Sequence, residues 1–299
     1  MSLTTPTAVS NRAMRNVLPE RTTHRFSERT RLVLHLIPFA IVLLLAVAGP
    51  WIVPQSPTTV VGANSSPPTA EFWFGTDSNG LDVFSRTFAA FRLDITIAIC
   101  VTVIATGVAL IVGLISGMYE SRRGLLGVAA RLLGRIVDLV QSIPVMIAGL
   151  VIVSFFGRNA LVITMSLAIV LIPFQARLMR TEVLRTRSDG YLDAARMSGE
   201  SEWQILRRHV LPNSAGPTIE NSSAIFGMAI IFSAALGFLG VGIPVPAAEW
   251  GSMLALGAPD AAVGRWWPVL FPAVALAFSV WSASVLVAGL TNRPRGTRH

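Results

Sequence analysis

The sequence predicts an all-α polytopic membrane protein with six transmembrane helices. Three observations carry that expectation: a shortage of charge, six apolar runs of membrane-crossing length, and arginines gathered on one side of those runs. Of 299 residues, 53% are hydrophobic and 13% charged, with a mean hydropathy of +0.62. Soluble domains carry roughly 25% charged residues, so much of this surface faces something other than water. The one cysteine, Cys100, lies in an apolar run and leaves no intrachain disulfide to form. All 24 basic residues are arginine. A GC-rich coding bias explains that, because no site chemistry would exclude lysine everywhere.

A bilayer core needs about 20 apolar residues in helical form, each rising about 1.5 Å. Residues 1–32 are polar and basic and lack apolar periodicity, so they read as a flexible tail. The first span, 33–53, has no convincing small-residue cleavage site after it and reads as a retained helix, not a signal peptide. Residues 54–94 form the next loop. The core, 95–290, holds spans at 95–119, 136–156, 160–178, 218–238 and 268–290, with a long polar loop at 179–215. The fifth is the least clean, since Glu220 and Asn221 lie at its start. Residues 291–299 are a second tail.

Arginines set the orientation, because positive loops stay cytoplasmic. The first tail holds Arg12, Arg15, Arg21, Arg25, Arg29 and Arg31. The loop after the second span brings Arg122 and Arg123, with Arg131 and Arg135 beyond. The loop after the fourth holds Arg177, Arg180, Arg185, Arg187, Arg196, Arg207 and Arg208, and the last tail holds Arg293, Arg295 and Arg298. Only Arg86, Arg92, Arg158 and Arg265 fall on the opposite side. Both termini and the 179–215 loop are therefore expected inside. A pI near 11.3 reports topology and not nucleic-acid binding.

Within that loop, residues 191–213 read YLDAARMSGESEWQILRRHVLPN. Asp193, Ala194 and Ala195 open a run of helix formers. Gly199 is suited to the left-handed turn that stops a helix. Glu200 to Arg208 starts a second short helix that Pro212 is expected to end. Two short helices joined at a glycine make a compact knob. Asp193, Arg196, Arg207 and Arg208 would offer charged contacts at its rim. The bland alternative is a solvated loop whose charges only orient the chain.

Tyr191, the acidic-Ala-Ala of Asp193, Ala194 and Ala195, then Arg196, Gly199, Arg207, Arg208, His209, Leu211 and Pro212 closely resemble the "EAA" loop of ABC importer permeases. Asp193 stands where that family usually has Glu. Two further motifs extend the resemblance over roughly residues 73–290. Gly75, Thr76, Asp77, Asp82 and Arg86 are similar to the G-T-D-x-x-G-R-D-x-x-S-R segment of the dipeptide and oligopeptide permeases, with Leu81 replacing a basic residue. Residues 236–254, LGFLGVGIPVPAAEWGSML, are similar to that subfamily's L-S-F-L-G-x-G motif, with Gly237 where Ser is usual. The chain thus resembles the "C"-type permease of such an importer. The C-terminal stretch 287–294, VAGLTNRP, departs from the acidic ending of that subfamily.

The resemblance implies a type I ABC importer permease fold. It implies a homologous second permease, two ATPase subunits gripping the EAA loops, and an extracytoplasmic binding protein. ATP and Mg would sit on the ATPases, and this chain would bind no cofactor. Di- or oligopeptide is the expected cargo, with nickel chelate, haem or another small solute as alternatives.

The outer motif has two readings. Gly240, Gly242, Pro244, Pro246, Trp250 and Gly251 form either a cavity mouth or a loop packed at the interface, where Trp250 is well suited. Thr76, Asp77 and Asp82 either contact a docked binding protein or cap and pin a helix start. Asp138 is expected to pair with Arg135 on its own helix face, and Glu220 either lines the path or reaches out.

No catalytic set appears. A phosphate-binding G-x-x-x-x-G-K-[ST] loop is impossible without lysine. His24, His35, His209 and His299 lack metal-ligand spacing. A stand-alone secondary transporter is the rival of another class, and it predicts mid-span carboxylates.

Overall fold

The chain turns helical wherever the apolar runs predict it, and the departures come at prolines and caps. The computed structural model describes residues 28–188 and 190–291. The tails expected at 1–32 and 291–299 fall largely outside that range. Residues 28–32, assigned to the first tail, instead form the opening of helix α1, Glu28–Ile52.

Helix α2, Val83–Tyr119, starts twelve residues before the expected span. Asp82 sets that start: its carboxylate accepts the Ser85 N–H at 2.8 Å, satisfying a donor the first helical turn leaves open. At 37 residues it is about 55 Å long, well beyond a bilayer core of about 30 Å.

The third span, expected as one straight helix over 136–156, is a broken pair. Helices α3 (Leu125–Gln141) and α4 (Val145–Phe156) are bent by 90°. Pro144 stands at the N-cap of α4. It cannot donate to the preceding turn, and it pushes Ile143 out of the helical region. Among the described residues, five helices are long and apolar enough to cross a membrane, or six if the bent pair counts as one span.

Helix α5, Ala160–Arg187, runs nine residues past the expected end at 178. The polar extension still buries Met179, Val183 and Thr186. Short helices α6 (Tyr191–Met197) and α7 (Glu202–Ile205) follow, then a π turn, Leu206–Val210. Helices α8 (Leu211–Glu220) and α9 (Ser222–Phe238) continue without a loop, so Glu202–Phe238 is one candidate span of 37 residues. Pro212 therefore does not end a helix. It sits in the first turn of α8, where its missing N–H does no harm. Helices α10 (Trp250–Ala262) and α11 (Trp267–Thr291) complete the chain.

Helices α2 and α5 form the central pair. Ala105, Ala109, Gly113 and Gly117 recur every four residues on α2 and are all buried. They let the backbones close up: a Cβ on Gly113 would lie 2.6 Å from the Ala176 carbonyl, and one on Gly117 2.7 Å from Val183. Small residues at this spacing drive helix association in lipid, where burial of apolar surface no longer discriminates.

Both helices thread three apolar clusters, the smallest made of Ala109, Val137 and Ala176. A large one gathers Ile95, Val101, Ala105, Leu167, Leu171, Ile225, Ile230 and Trp250. A smaller one at the arginine-rich end gathers Met118, Met179, Val183, Leu192, Ile205, Leu206 and Val210.

Candidate functional site

Two regions collect the sequence motifs, one at each end of the bundle. At the arginine-rich end, residues 191–213 fold as a knob held from within. Leu192 on α6, Ile205 on α7 and Val210 in the π turn are fully buried against α2 and α5. Gly199 has φ +84°. Its N–H donates to the Arg196 carbonyl at 3.0 Å and the Glu200 N–H to the Ala195 carbonyl at 3.2 Å. This paired closure is the Schellman pattern that glycine makes accessible.

Helix α7 then starts with a reciprocal cap. Ser201 Oγ accepts the Gln204 N–H at 3.3 Å, and Gln204 Oε1 accepts the Ser201 N–H at 2.8 Å.

Charges expected at the rim staple the knob together. Arg196 reaches Asp193 at 2.7 Å and Glu202 at 3.4 Å, and Arg122 reaches Glu202 at 3.3 Å. His209 Nε2 lies 3.1 Å from Glu200. Ala195 and Leu211 are half-buried, whereas Ala194, Pro212, Arg207 and Arg208 are exposed. Met197 and Trp203 project outward at 88% and 66% exposure, a large apolar display on an otherwise charged knob. Tyr191 opens α6, with its side chain outside the described residues.

The expected Arg135–Asp138 pair does not form. Helix α3 turns Gly127, Ala130, Gly134 and Val137 inward, and the Arg180 guanidinium of α5 lies across Gly134. Asp138 accordingly faces Arg180 at 3.9 Å. Arg180 also grips both oxygens of Glu120, at 2.6 and 3.2 Å. Glu220 is half-buried at the end of α8.

At the far end, the two other motifs join into one cap. Arg86 is fully buried. Its Nη1 donates to the Pro57 and Pro246 carbonyls at 3.0 and 3.1 Å, and its Nη2 to Ala247 at 3.2 Å. Nε lies 3.6 Å from Asp77. Asp77 Oδ1 accepts the Asn79 and Leu81 N–H groups, both at 2.9 Å. Thr76 Oγ1 donates to Ala63, and the Thr76 carbonyl accepts Trp267 Nε1 at 3.1 Å. Gly75 takes the turn before it at φ +72°. Thr76, Asp77 and Asp82 are all buried. Of their two readings, pinning is the one the geometry supports.

Trp250, expected at a membrane interface, is instead fully buried. The loop after Gly240 (φ +82°) folds back, through Pro244, and tucks the start of α10 between α2 and α9. There Trp250 stands edge-on to Phe91, with centroids 4.7 Å apart, and its Nε1 donates to the Thr87 carbonyl at 3.1 Å. Gly251 presses against the Ala234 backbone, and Gly242 against Gly237, too closely for a side chain.

Two carboxylates are not singled out by the sequence motifs. The first three N–H groups of α10 are all accepted by them: Trp250 by Asp94 at 3.0 Å, Gly251 and Ser252 by Glu249 at 2.9 and 3.0 Å. A helix N-terminus favours such negative charge. Burial pushes the Glu249 carboxyl up to about 7, against those Ser252 and Gly251 hydrogen bonds, which favour the charged form. Asp94 ends the loop expected at 54–94, yet it is buried within α2. Glu249 is masked in the sequence by the glycines and prolines of its motif.

A third such residue is Gln175, fully buried in α5. It accepts from Asn221 at 2.8 Å and donates to the Thr218 carbonyl at 3.1 Å and to Thr106 at 3.2 Å. A lone amide inside an apolar run is the signal that could have found it.

Comparisons with known proteins converge. A profile described as "Binding-protein-dependent transport system inner membrane component" matches residues 109–295. A putative peptide transport system permease protein of Brucella suis is 33% identical, covering 90% of this chain and 88% of its own length. A probable D,D-dipeptide transport system permease protein of Escherichia coli is 34% identical, covering 79% and 77%. A di/tripeptide transport system permease protein of Pseudomonas aeruginosa is 31% identical, covering 84% and 82%. Among solved structures, a chain of the MetNI methionine ABC transporter in inward-facing conformations shares the fold. Its TM-score is 0.50 at 21% identity, over 66% of this chain and 93% of that one.

Proposed function

Because this chain belongs to the family of binding-protein-dependent transport system inner membrane components, we propose that it works as one half of a peptide translocation path and draws its power from separate subunits. The chain is a multi-pass ABC importer permease component. Its partners are a homologous second permease, two ATPases that carry ATP and Mg, and an extracytoplasmic binding protein. The permease itself hydrolyses nothing. Its termini and the 191–213 knob face the cytoplasm, in keeping with the arginine distribution, and the Arg86 cap faces outward. Di- or oligopeptide is the cargo, a reading supported by the peptide, D,D-dipeptide and di/tripeptide permeases among its relatives.

The observation that carries this reading is the knob. It is pinned from within by the buried Leu192, Ile205 and Val210, displays Met197 and Trp203, and continues without a loop into a span that crosses the bundle. An ATPase that grips it moves a lever, and lever position biases which side of the path is open. A secondary transporter needs mid-span carboxylates; among the described residues, the buried Asp94 of α2 is instead tied to the backbone of Trp250.

Two measurements test it. The detergent-solubilised chain is used to capture its ATPases, as wild type and as Gly199→Val, whose β-branched side chain opposes the left-handed turn; the wild type retains them and the variant retains fewer. The complete complex in vesicles, with radiolabelled dialanine and binding protein outside and ATP inside, takes up label. No ATPase on the wild type under mild conditions would sink the importer assignment, and uptake driven by a proton or sodium gradient without ATP would replace it.

A further inference from the structure

A transport lever needs a pivot, and the bundle contains one built layer where a pivot would sit. Chain segments change allegiance there. On α2, Ala105 belongs to the large apolar cluster and Met118 to the smaller; on α5, Leu171 belongs to the large and Met179 to the smaller. Val210 lies in the smaller cluster and Ile225 in the large. Between these limits, beside the small Ala109–Val137–Ala176 cluster, stand Thr106, Gln175, Thr218 and Asn221, joined through the Gln175 amide.

The same level is where the long span is discontinuous. Asn221 is the single residue between α8 and α9. Three successive carbonyls at this joint accept side-chain donors: Thr218 from Gln175 at 3.1 Å, Ile219 from Ser222 at 2.6 Å and Glu220 from Ser223 at 2.8 Å. Side-chain donors of this kind re-satisfy backbone groups where a membrane helix is interrupted. Ser222 and Ser223 also line an apolar cavity of about 250 Å³ shared with Phe39, Ile99 and Phe226. The joint thus has open space beside it into which it can bend.

We propose that the Thr106–Gln175–Asn221 layer is the pivot of the transport cycle, with Gln175 as its positioning residue. The knob, π turn and α8 move as one block against α2 and α5, and α9 stays with the larger cluster. Gln175, fixed on α5, holds the end of α8 through Thr218 and the start of α9 through Asn221. Loss of its bonds leaves both blocks folded and lets the lever move without moving the path. This inference rests on the importer reading above.

The test uses the complete complex in vesicles and reads ATP hydrolysis and radiolabelled dialanine uptake together. Gln175→Leu is expected to assemble and hydrolyse ATP at near wild-type rates while uptake per ATP falls roughly tenfold, within the about 5–150-fold span of inter-site coupling. Gln175→Glu keeps an acceptor for Asn221 but loses the donor to Thr218, and its uptake per ATP falls in between. It carries the test should the leucine variant fail to assemble. Exchanging the pair, Gln175→Asn with Asn221→Gln, restores part of the loss. Unchanged uptake per ATP in both single variants would overturn the proposal. So would uptake and hydrolysis falling in proportion with the amount of assembled complex, the mark of a merely structural residue. A wild-type complex without ATP-driven uptake would overturn the importer reading instead, so the two failures are told apart.

Discussion

Arg86 and Pro246 stand 160 positions apart in the chain and 3.1 Å apart in space, joined by a hydrogen bond from guanidinium to carbonyl. Removing the charge strands Asp77 and leaves the Pro57, Pro246 and Ala247 carbonyls without their donor. Arg86→Ala is therefore expected to lose about 3–5 kcal/mol, the usual result of breaking one side of a buried pair. Arg86→Lys recovers little, because one ammonium cannot reproduce a planar fork of donors. Thermal unfolding in detergent measures both, and equal stability of the Arg86→Lys variant and the wild type would show that the fork is unimportant.

Gly199 presents a cleaner case, since nothing lies within 4 Å of a Cβ built there. Any substitution effect is backbone strain alone. Gly199→Val costs about 1–2 kcal/mol from the left-handed conformation, and Gly199→Asn costs less because asparagine tolerates it. ATPase capture should follow that order. Equal capture by the two variants would locate the effect elsewhere.

Gly237 sits where the motif it resembles usually carries serine, and a Cβ there would overlap the Glu249 carboxylate. Gly237→Ser is expected to destabilise the cap by about 1–3 kcal/mol through overpacking. In a Glu249→Ala background the same change should be nearly neutral, giving a coupling of about 0.5–3 kcal/mol between contacting sites. Additive effects in the double variant would break the link.

Glu249 also makes the cap sensitive to pH. Its carboxyl is raised from 4.5 to about 7 on folding, so the folded chain holds the proton more tightly than the unfolded chain. The stabilising contribution is complete below pH 4.5 and is lost as pH rises through about 7. The melting temperature should fall as pH rises across that window, and Glu249→Gln should flatten that fall. An equally steep fall in the glutamine variant would assign it to other groups.

Much of this is legible in the sequence. The apolar runs locate the spans, and Gly199 marks the break in the knob, because hydrophobic length and left-handed backbone are local properties. Other features depend on what lies across the bundle. Trp250 reads as an interfacial residue until Phe91 and Thr87 close around it. Asp138 takes Arg180 over its own neighbour Arg135, because Gly134 leaves room for that guanidinium. The 90° bend after Gln141 follows from Pro144, a signal that is present but hidden inside a hydrophobic stretch. The partners of Gln175 are set by the fold alone: Asn221 is 46 positions away and Thr106 is 69.

The Arg86 cap also puts a clock on biogenesis. Pro57 and Asp77 precede Arg86 in the chain and are available as soon as it is made, but Pro246 and Ala247 come 160 and 161 positions later. At about 5–20 residues per second of synthesis, that gap lasts roughly 10–30 s. For that time the guanidinium has only half its ring of partners, and the first two spans must wait in the bilayer with the far end unsealed. The connection between α9 and α10 therefore acts as a latch: it can close only after every helix up to α9 has entered the membrane in the right order.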